Sequence, residues 1–157
     1  MGGRSSENSG MMKDGAKWCN AGANCVVHNN TIIGGKSYGA GNYAMCGKAY
    51  DPRFIFAWSA AKIAVMCCEQ AAKTLLQIQV ASLKTKGNEI TPEDEQKLLS
   101  EIMQRYEKQT SPYYAAARLW VDDIIDPADT RKIISESITA ANNNNDIPDF
   151  KTGVIQV

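Results

Sequence analysis

Ser37-Tyr-Gly-Ala-Gly-Asn-Tyr-Ala-Met-Cys-Gly-Lys-Ala-Tyr-Asp-Pro-Arg53 is the stretch on which the reading of the fold turns. Glycines 39, 41 and 47 let backbone N–H groups approach a ligand closely, at some cost in helix stability. From Tyr38 to about Tyr50 the run reads as a turn followed by a helix. Just upstream, Val26-Val27 and Thr31-Ile-Ile33 suggest strand, although His28-Asn-Asn30 interrupts them with residues that favour turns. Just downstream, Arg53 to Trp58 and Lys62 to Met66 are short apolar runs separated by Ser59-Ala-Ala61, and both read as strands. Strands that alternate with helices imply an α/β fold.

The rest of the chain fits that frame. Residues 1–10 are rich in Gly, Ser and Asn and read as a flexible segment. Met12, Ala16, Cys19 and Ala23 recur at helical spacing, which predicts a helix from Met11 to about Cys25. A second helix is expected from about Cys67 to Lys84, with Ala71, Leu75, Ile78 and Ser82 along one face and Gly87-Asn88 ending it. Thr91-Pro92-Glu-Asp94 is a strong helix start: threonine caps, proline takes the first position, and acids favour the positive end. The helix to about Lys108 carries Leu98, Leu99, Ile102, Met103 and Tyr106 as one stripe, the pattern of a helix packed on its domain. Ser111-Pro112 starts a short helix through Leu119, and Trp120 to Ile125 supplies a strand. Asp126-Pro127 with Asp129 begins a helix to about Ala141, with Ile133, Ile134 and Ile138 facing inward. Residues 11–141 therefore form one domain, and 142–157 form a tail that reads as a docking segment.

At 157 residues, with 44% hydrophobic and 22% charged residues, the chain can bury one sizeable core. Its formal net charge of zero gives no electrostatic reason to expect nucleic acid or an anionic membrane as partner. No apolar run approaches the roughly 18 residues of a spanning helix. Five cysteines, an odd number, fit a reducing intracellular compartment better than a disulfide scaffold. None has zinc-finger spacing, so no metal is expected. The single histidine, His28, reads as a surface residue and rules out a Ser/His/Asp set. Asp122, Asp123 and Asp126 form an acidic cluster best explained by capping, with Arg118 and Arg131 as pairing partners.

Several segments, in order, carry a resemblance. They are Lys13-Asp-Gly-Ala-Lys17, the glycine-rich run, Phe54-Ile-Phe-Ala-Trp58 leading into Lys62-Ile-Ala-Val-Met66, Glu69-Gln-Ala-Ala72, Ser111-Pro-Tyr-Tyr-Ala-Ala-Ala-Arg118, and Val121-Asp-Asp-Ile-Ile-Asp-Pro-Ala-Asp-Thr-Arg131. Together they resemble the carboxyltransferase (beta) subunit of biotin-dependent acyl-CoA carboxylases, closest to the methylcrotonoyl-CoA type. Lys36 is similar instead to the propionyl-CoA type. The resemblance implies a crotonase-like α/β fold. It reaches only the later part of the second of two crotonase-like halves, so the acyl-CoA-binding first half is expected to be missing.

The resemblance also implies chemistry that needs few side chains. Carboxybiotin releases CO2, the biotin ureido group takes the α-proton of an acyl-CoA, and the enolate captures CO2 at the α- or γ-carbon. The protein stabilises the two oxyanions with backbone N–H groups at helix starts. Carried onto this chain, Cys67 and Cys68 supply backbone donors, and Gly39, Ala40, Gly41, Asn42 and Tyr43 line the substrate or biotin side. Biotin is expected on a partner, the biotin carboxylase/biotin carrier (alpha) subunit, and the assembly is expected to be a homo-oligomer. The implied compartment is a bacterial cytoplasm or a mitochondrial matrix. One departure bears on activity: Cys67-Cys68 stands where the family has Gly-Gly or Gly and another small residue. The N–H groups survive, but Cβ and sulfur narrow the space and penalise positive φ. The alternatives are therefore a non-catalytic crotonase-like remnant or, with less in its favour, a crotonase-type hydratase or decarboxylase.

Overall fold

In the computed structural model, which describes residues 4–85, 91–144 and 146–151, the strands alternate along the chain between two parallel sheets. Strands β1 (Asn30–Ile33), β3 (Phe54–Trp58) and β5 (Asp123–Ile125) form the larger, in the order β1-β3-β5. Asn30 pairs with Phe54 and Ile33 with Ala57, while Phe56 pairs with Asp123 and Trp58 with Ile125. The central strand is apolar at every position, as expected where both faces are covered, and Ile55, Phe56 and Ala57 are all buried. Strands β2 (Lys36–Tyr38) and β4 (Lys62–Ala64) form the smaller sheet, with Tyr38 opposite Ala64.

The two sheets are connected twice in the same way. Gly34-Gly35 links β1 to β2, and Ser59-Ala60-Ala61 links β3 to β4. Lys62 N–H donates to the Gly35 carbonyl at 2.9 Å, which joins the two turns. A Cβ on Gly34 would stand 3.1 Å from the Trp58 ring, so the ring closes over a residue without a side chain. The core beneath comprises Ile33, Ile55, Ala57, Ala61, Ala115 and Val121, with Ile63 and Ala116 packed against it. Three of those six are alanines, which lets the backbones approach closely.

The helices follow the sequence expectations with several shifts. Helix α1 (Arg4–Asn8) occupies part of the segment expected to be loose, and buries none of its residues. Helix α2 runs Met11–Ala23. Val26-Val27 is not strand; pairing begins only at Asn30, after the turn-favouring residues. Helix α3 (Gly39–Ala44) follows β2, and a 3-10 turn follows at Lys48–Tyr50. Helices α4 (Cys68–Thr85) and α5 (Pro92–Gln109) form a hairpin; Gly87-Asn88 lies outside the described residues.

Their seam is Ala72, Leu76 and Ile102, joined by Val80, Leu98 and Leu99. The face expected to be buried on α4 was Ala71, Leu75, Ile78 and Ser82. Ala71 is fully buried, but Leu75 is 40% and Ile78 60% exposed. The helix is apolar on two adjacent rows, and α5 packs on the neighbouring one. Thr91 caps α5 as read, accepting from Asp94 N–H at 3.3 Å with Pro92 at the first position.

Helix α6 is Pro112–Ala116, shorter than expected because Leu119 takes φ 59° and Trp120 N–H turns back to the Ala115 carbonyl. Strand β5 starts at Asp123 rather than Trp120. A 3-10 turn at Pro127–Asp129 leads into helix α7 (Thr130–Ala141), where Ile138 is half exposed and Ser137 is buried instead, its hydroxyl donating to the Ile133 carbonyl. The tail from residue 142 has no helix or strand among its described residues. Among the described residues, no helix is long and apolar enough to cross a membrane.

The three clustered acids each serve the backbone. Asp123 and Asp126 accept from Ile124 and Ala128 N–H, both at 2.8 Å. Arg118 does not pair with them; it lies over the Tyr114 ring, 3.3 Å from its centroid, and donates to the Tyr114 carbonyl. Arg131 forms no ion pair among the described residues either. Asp122 does most: its carboxylate takes Ile55 N–H at 2.7 Å, while its own N–H donates to the Ile55 carbonyl at 2.8 Å. That side chain extends the β3–β5 ladder by one residue. Asp122→Ala should lower stability by about 1–3 kcal/mol, because a backbone donor beside the core loses its acceptor. Chemical denaturation checks it, and Asp122→Asn should recover part of the loss through its side-chain carbonyl.

Candidate functional site

Because β2 and β4 run parallel, the helices that follow them begin at the same end of the small sheet. Helix α3 starts at Gly39 and α4 at Cys68, each within a few residues of the paired Tyr38 and Ala64. Contact is direct at one point: a Cβ on Gly39 would lie 2.7 Å from the Val65 carbonyl oxygen, and Gly39 has φ 54°. Only glycine fits both conditions. Gly41 has open space around its α-carbon and no such demand.

The five residues expected on the glycine-rich side divide between surfaces. Gly39 abuts Val65, and Ala40 is exposed beside it. Gly41 and Asn42 line a cleft of 590 Å³ with Thr31 and Ser37. The Asn42 amide donates to Ser37 Oγ at 2.5 Å, and its side-chain oxygen would sit 2.6 Å from a Cβ on Gly47. Asn42 thus fastens α3 to β2 and leaves no room for a side chain at residue 47. Tyr43 faces a different cleft, of 780 Å³, with Lys48 and Arg53, its ring 4.9 Å from that of Tyr50. The neighbouring Cys19 thiol, then partial burial and Tyr43, hold the Tyr50 phenol above its ordinary range.

At the other helix start, the Cys67 carbonyl accepts Ala71 N–H at 3.0 Å and closes the first turn of α4. The N–H groups of Cys68, Glu69 and Gln70 find no acceptor among the described residues, as at any uncapped helix start. The Cys68 side chain leans to one side: its thiol donates to the Met103 carbonyl of α5 at 3.6 Å. Burial first, then the Glu107 carboxylate and Cys67, push this thiol above the usual range, against the opposite pull of Lys62. Glu69, next along, is held by Lys73 at 2.7 Å, and that hydrogen bond keeps its carboxyl below the ordinary range. Its charge is thereby directed along the helix surface. What the turn offers is a small set of neutral backbone donors at the positive end of an 18-residue helix.

Residues that the sequence did not single out complete the surroundings. Thr110, only 2% exposed, presents its carbonyl to Ile63 N–H at 2.9 Å, and Glu107 faces Lys62 at 3.7 Å. No motif announces either, since both contacts cross from α5 to β4. All five cysteines are free thiols of intermediate exposure, and no group of three His, Cys, Asp or Glu side chains converges among the described residues.

Two outcomes follow. Gly39→Ala should cost at least about 1–2 kcal/mol from the left-handed backbone alone, with a further penalty at the Val65 carbonyl. Gly41→Ala, inside α3, should be neutral or stabilise by about 0.5–1 kcal/mol; thermal unfolding of the pair checks both. Cys68 should alkylate slowly near pH 8 and faster as pH rises, because a raised pKa leaves less thiolate at a given pH. Peptide mapping after timed labelling reads this, and prompt labelling of Cys68 at pH 8 would contradict the raised pKa.

Comparison with known proteins matches this arrangement along nearly its whole length. The family model for the carboxyl transferase domain matches residues 1–155. A probable mitochondrial methylcrotonoyl-CoA carboxylase beta chain of Drosophila melanogaster is 49% identical over 142 residues, covering 90% of this chain and 25% of that protein. A biotin-dependent 3-methylcrotonyl-coenzyme A carboxylase beta1 subunit of Mycobacterium tuberculosis is 45% identical over 137 residues, covering 87% of this chain and 26% of that protein. Among solved structures, the transcarboxylase 12S hexamer core with methylmalonyl-coenzyme A bound superposes with TM-score 0.83 at 30% identity, covering all of this chain and 29% of that one. The chain thus spans about a quarter of the length of the curated relatives it matches. It has the crotonase-like α/β fold of part of a carboxyltransferase beta subunit. The chain belongs to the carboxyl transferase domain family.

Proposed function

We propose that this chain forms the biotin-facing part of the carboxyltransferase component of a biotin-dependent acyl-CoA carboxylase, with a short acyl-CoA of the methylcrotonoyl type as acceptor. The observation that carries the reading is the start of α4, where Cys68, Glu69 and Gln70 present N–H groups with no acceptor among the described residues. Fixed neutral donors at a helix N-terminus suit an oxygen that gains negative charge during reaction, and they need no reorganisation when it does. They fit the ureido oxygen of biotin: the donors are peptide N–H groups, the nearby Lys62 and Lys73 are each engaged by a carboxylate, and the Cys68 thiol leans toward α5. Bound biotin, carried on an alpha subunit, would supply the CO2 and a base for the acyl-CoA proton.

The chain's own residues then have distinct tasks. Backbone N–H groups at Cys67 and Cys68 hold the ureido oxygen. Gly39 to Asn42 shape the approach, with Asn42 anchoring α3 through Ser37. Methylcrotonoyl-type substrate is favoured over the propionyl type by the 49% identity to a methylcrotonoyl-CoA carboxylase beta chain. A first crotonase-like half, a biotin carrier and further copies of the subunit complete the site in this reading, in a mitochondrial matrix or a bacterial cytoplasm.

The competing reading, a non-catalytic remnant, rests on the bulk of Cys67 and Cys68 where the family is small. The sideways Cys68 thiol supports the catalytic one. The experiment supplies this chain with a separately expressed first half and a carboxylated biotin carrier, then measures carboxylation of 3-methylcrotonoyl-CoA. Turnover is expected. Absence of turnover, under conditions in which an intact relative's beta chain is active, would sink the catalytic reading.

A further inference from the structure

Three polar contacts run from α5 and its C-cap residue to strand β4 and the first residue of α4. The Met103 carbonyl takes the Cys68 thiol at 3.6 Å, the Glu107 carboxylate faces the Lys62 ammonium at 3.7 Å, and the Thr110 carbonyl takes Ile63 N–H at 2.9 Å. Residues 103, 107 and 110 are spaced one turn apart, so they form a single row down the last turns of α5 to its C-cap Thr110. The apolar seam of Ala72, Leu76 and Ile102 would hold the hairpin together without any of them.

From this row we infer that α5 is the positioning element of the candidate biotin turn, with Cys68 and Thr110 as its two anchoring residues. The inference rests on the functional reading above and extends it: Cys68 becomes the side chain that fixes the orientation of its own N–H. A glycine there offers no side chain to fix. With cysteine, a thiol directed at a carbonyl one helix away resists rotation of the first turn. The raised pKa of Cys68 accords with this, since a neutral S–H is the form that donates.

Thr110 is the firmer anchor. It is almost completely buried, its hydroxyl donates to the Glu107 carbonyl at 2.9 Å, and its N–H is shared between the Tyr106 and Glu107 carbonyls at 3.1 and 3.3 Å. Those bonds leave its own carbonyl aimed at β4. Glu107–Lys62 is exposed on both sides and contributes little alone. Met103 touches the helix start only through the Cys68 thiol, and Glu107 and Thr110 reach β4 instead. Their influence passes through Ile63 and Cys68, so they are positioning residues.

The test uses the 157-residue chain, backbone-assigned by NMR. Amide exchange is read at Ile63, which bonds Thr110, at Ala71, which closes the first turn of α4, and at Ala57 in the central strand as a control for global opening. Thr110→Val should speed exchange at Ile63, and Cys68→Ala at Ala71, each about threefold to tenfold, as expected on losing one modest hydrogen bond. Ala57 should be unchanged in both. Thr110→Ser and Cys68→Ser, which keep a donor, should return exchange to near the wild-type rate.

Biotin is then titrated while the Cys68, Glu69 and Gln70 amides are followed. Cys68→Ala should need several-fold more biotin for the same shift, and Cys68→Ser should restore it. Unchanged exchange at Ile63 and Ala71 in the alanine and valine variants would overturn the inference, and so would faster exchange at all three reporters together. A wild-type chain whose turn amides ignore biotin would overturn the ligand reading separately, whatever the exchange rates show.

Discussion

The constraint on which the rest of this structure depends is the space between residue 39 and the Val65 carbonyl. Strands β2 and β4 are three residues each, too short to hold two helices in register by ladder hydrogen bonds alone. What fixes α3 against the β4–α4 turn is a backbone-to-backbone approach that leaves no room for a Cβ, in a left-handed conformation that L side chains avoid. The parallel pairing sets the common end at which both helices start, and that approach fixes their spacing there. The Lys62–Gly35 hydrogen bond and the Trp58 ring over Gly34 then hold the turns leading into the two strands. Glycine is used here at the few points where backbones must meet.

The electrostatic character of the turn follows from what surrounds it. Its donors are peptide N–H groups, and its nearest carboxylates are Glu69 and Glu107. Both acids face lysines, Lys73 and Lys62 respectively, which lie beside the helix start. With each acid paired to a lysine, the aligned peptides of the helix add their positive end to a locally balanced set of charges. Neutral donors stabilise developing charge without holding a resident ion so firmly that it cannot leave. A thiol that remains protonated preserves that neutrality where a thiolate would oppose it.

Much of the fold was legible, for identifiable reasons. Phe54 to Trp58 reads as a buried strand because every position is apolar, and it proved to be the central one. Thr91-Pro92 announced its helix by cap chemistry that depends only on neighbours in sequence. The ordered motifs gave the family. What could not be read depends on which neighbour arrives. Helix α4 has two apolar rows, and nothing in its own residues states which of them α5 will cover. Val26-Val27 has strand propensity, but Asn30 is where a partner first becomes available. Arg118 looked paired because three acids follow it, yet its guanidinium lies over the Tyr114 ring and bonds that residue's carbonyl. The Cys67-Cys68 pair was legible as a departure. The direction of the Cys68 thiol was not, because its acceptor lies 35 residues away on another helix.

Strand β3 takes its two neighbours from very different distances along the chain. β1 ends about twenty residues before it, whereas Ile55 meets Asp122 across 67 residues. Closing so long a loop costs entropy before any ladder contact offsets it. The α4–α5 hairpin occupies most of that interval and is built from local contacts. Folding it first shortens the effective loop, because two antiparallel helices return the chain almost to where it left. The hairpin thus acts as a spacer that brings Val121 and Asp122 back to the open edge of β3. Until it forms, that edge has no partner, and an apolar strand with an unpaired edge is what a nascent chain must shield from other chains.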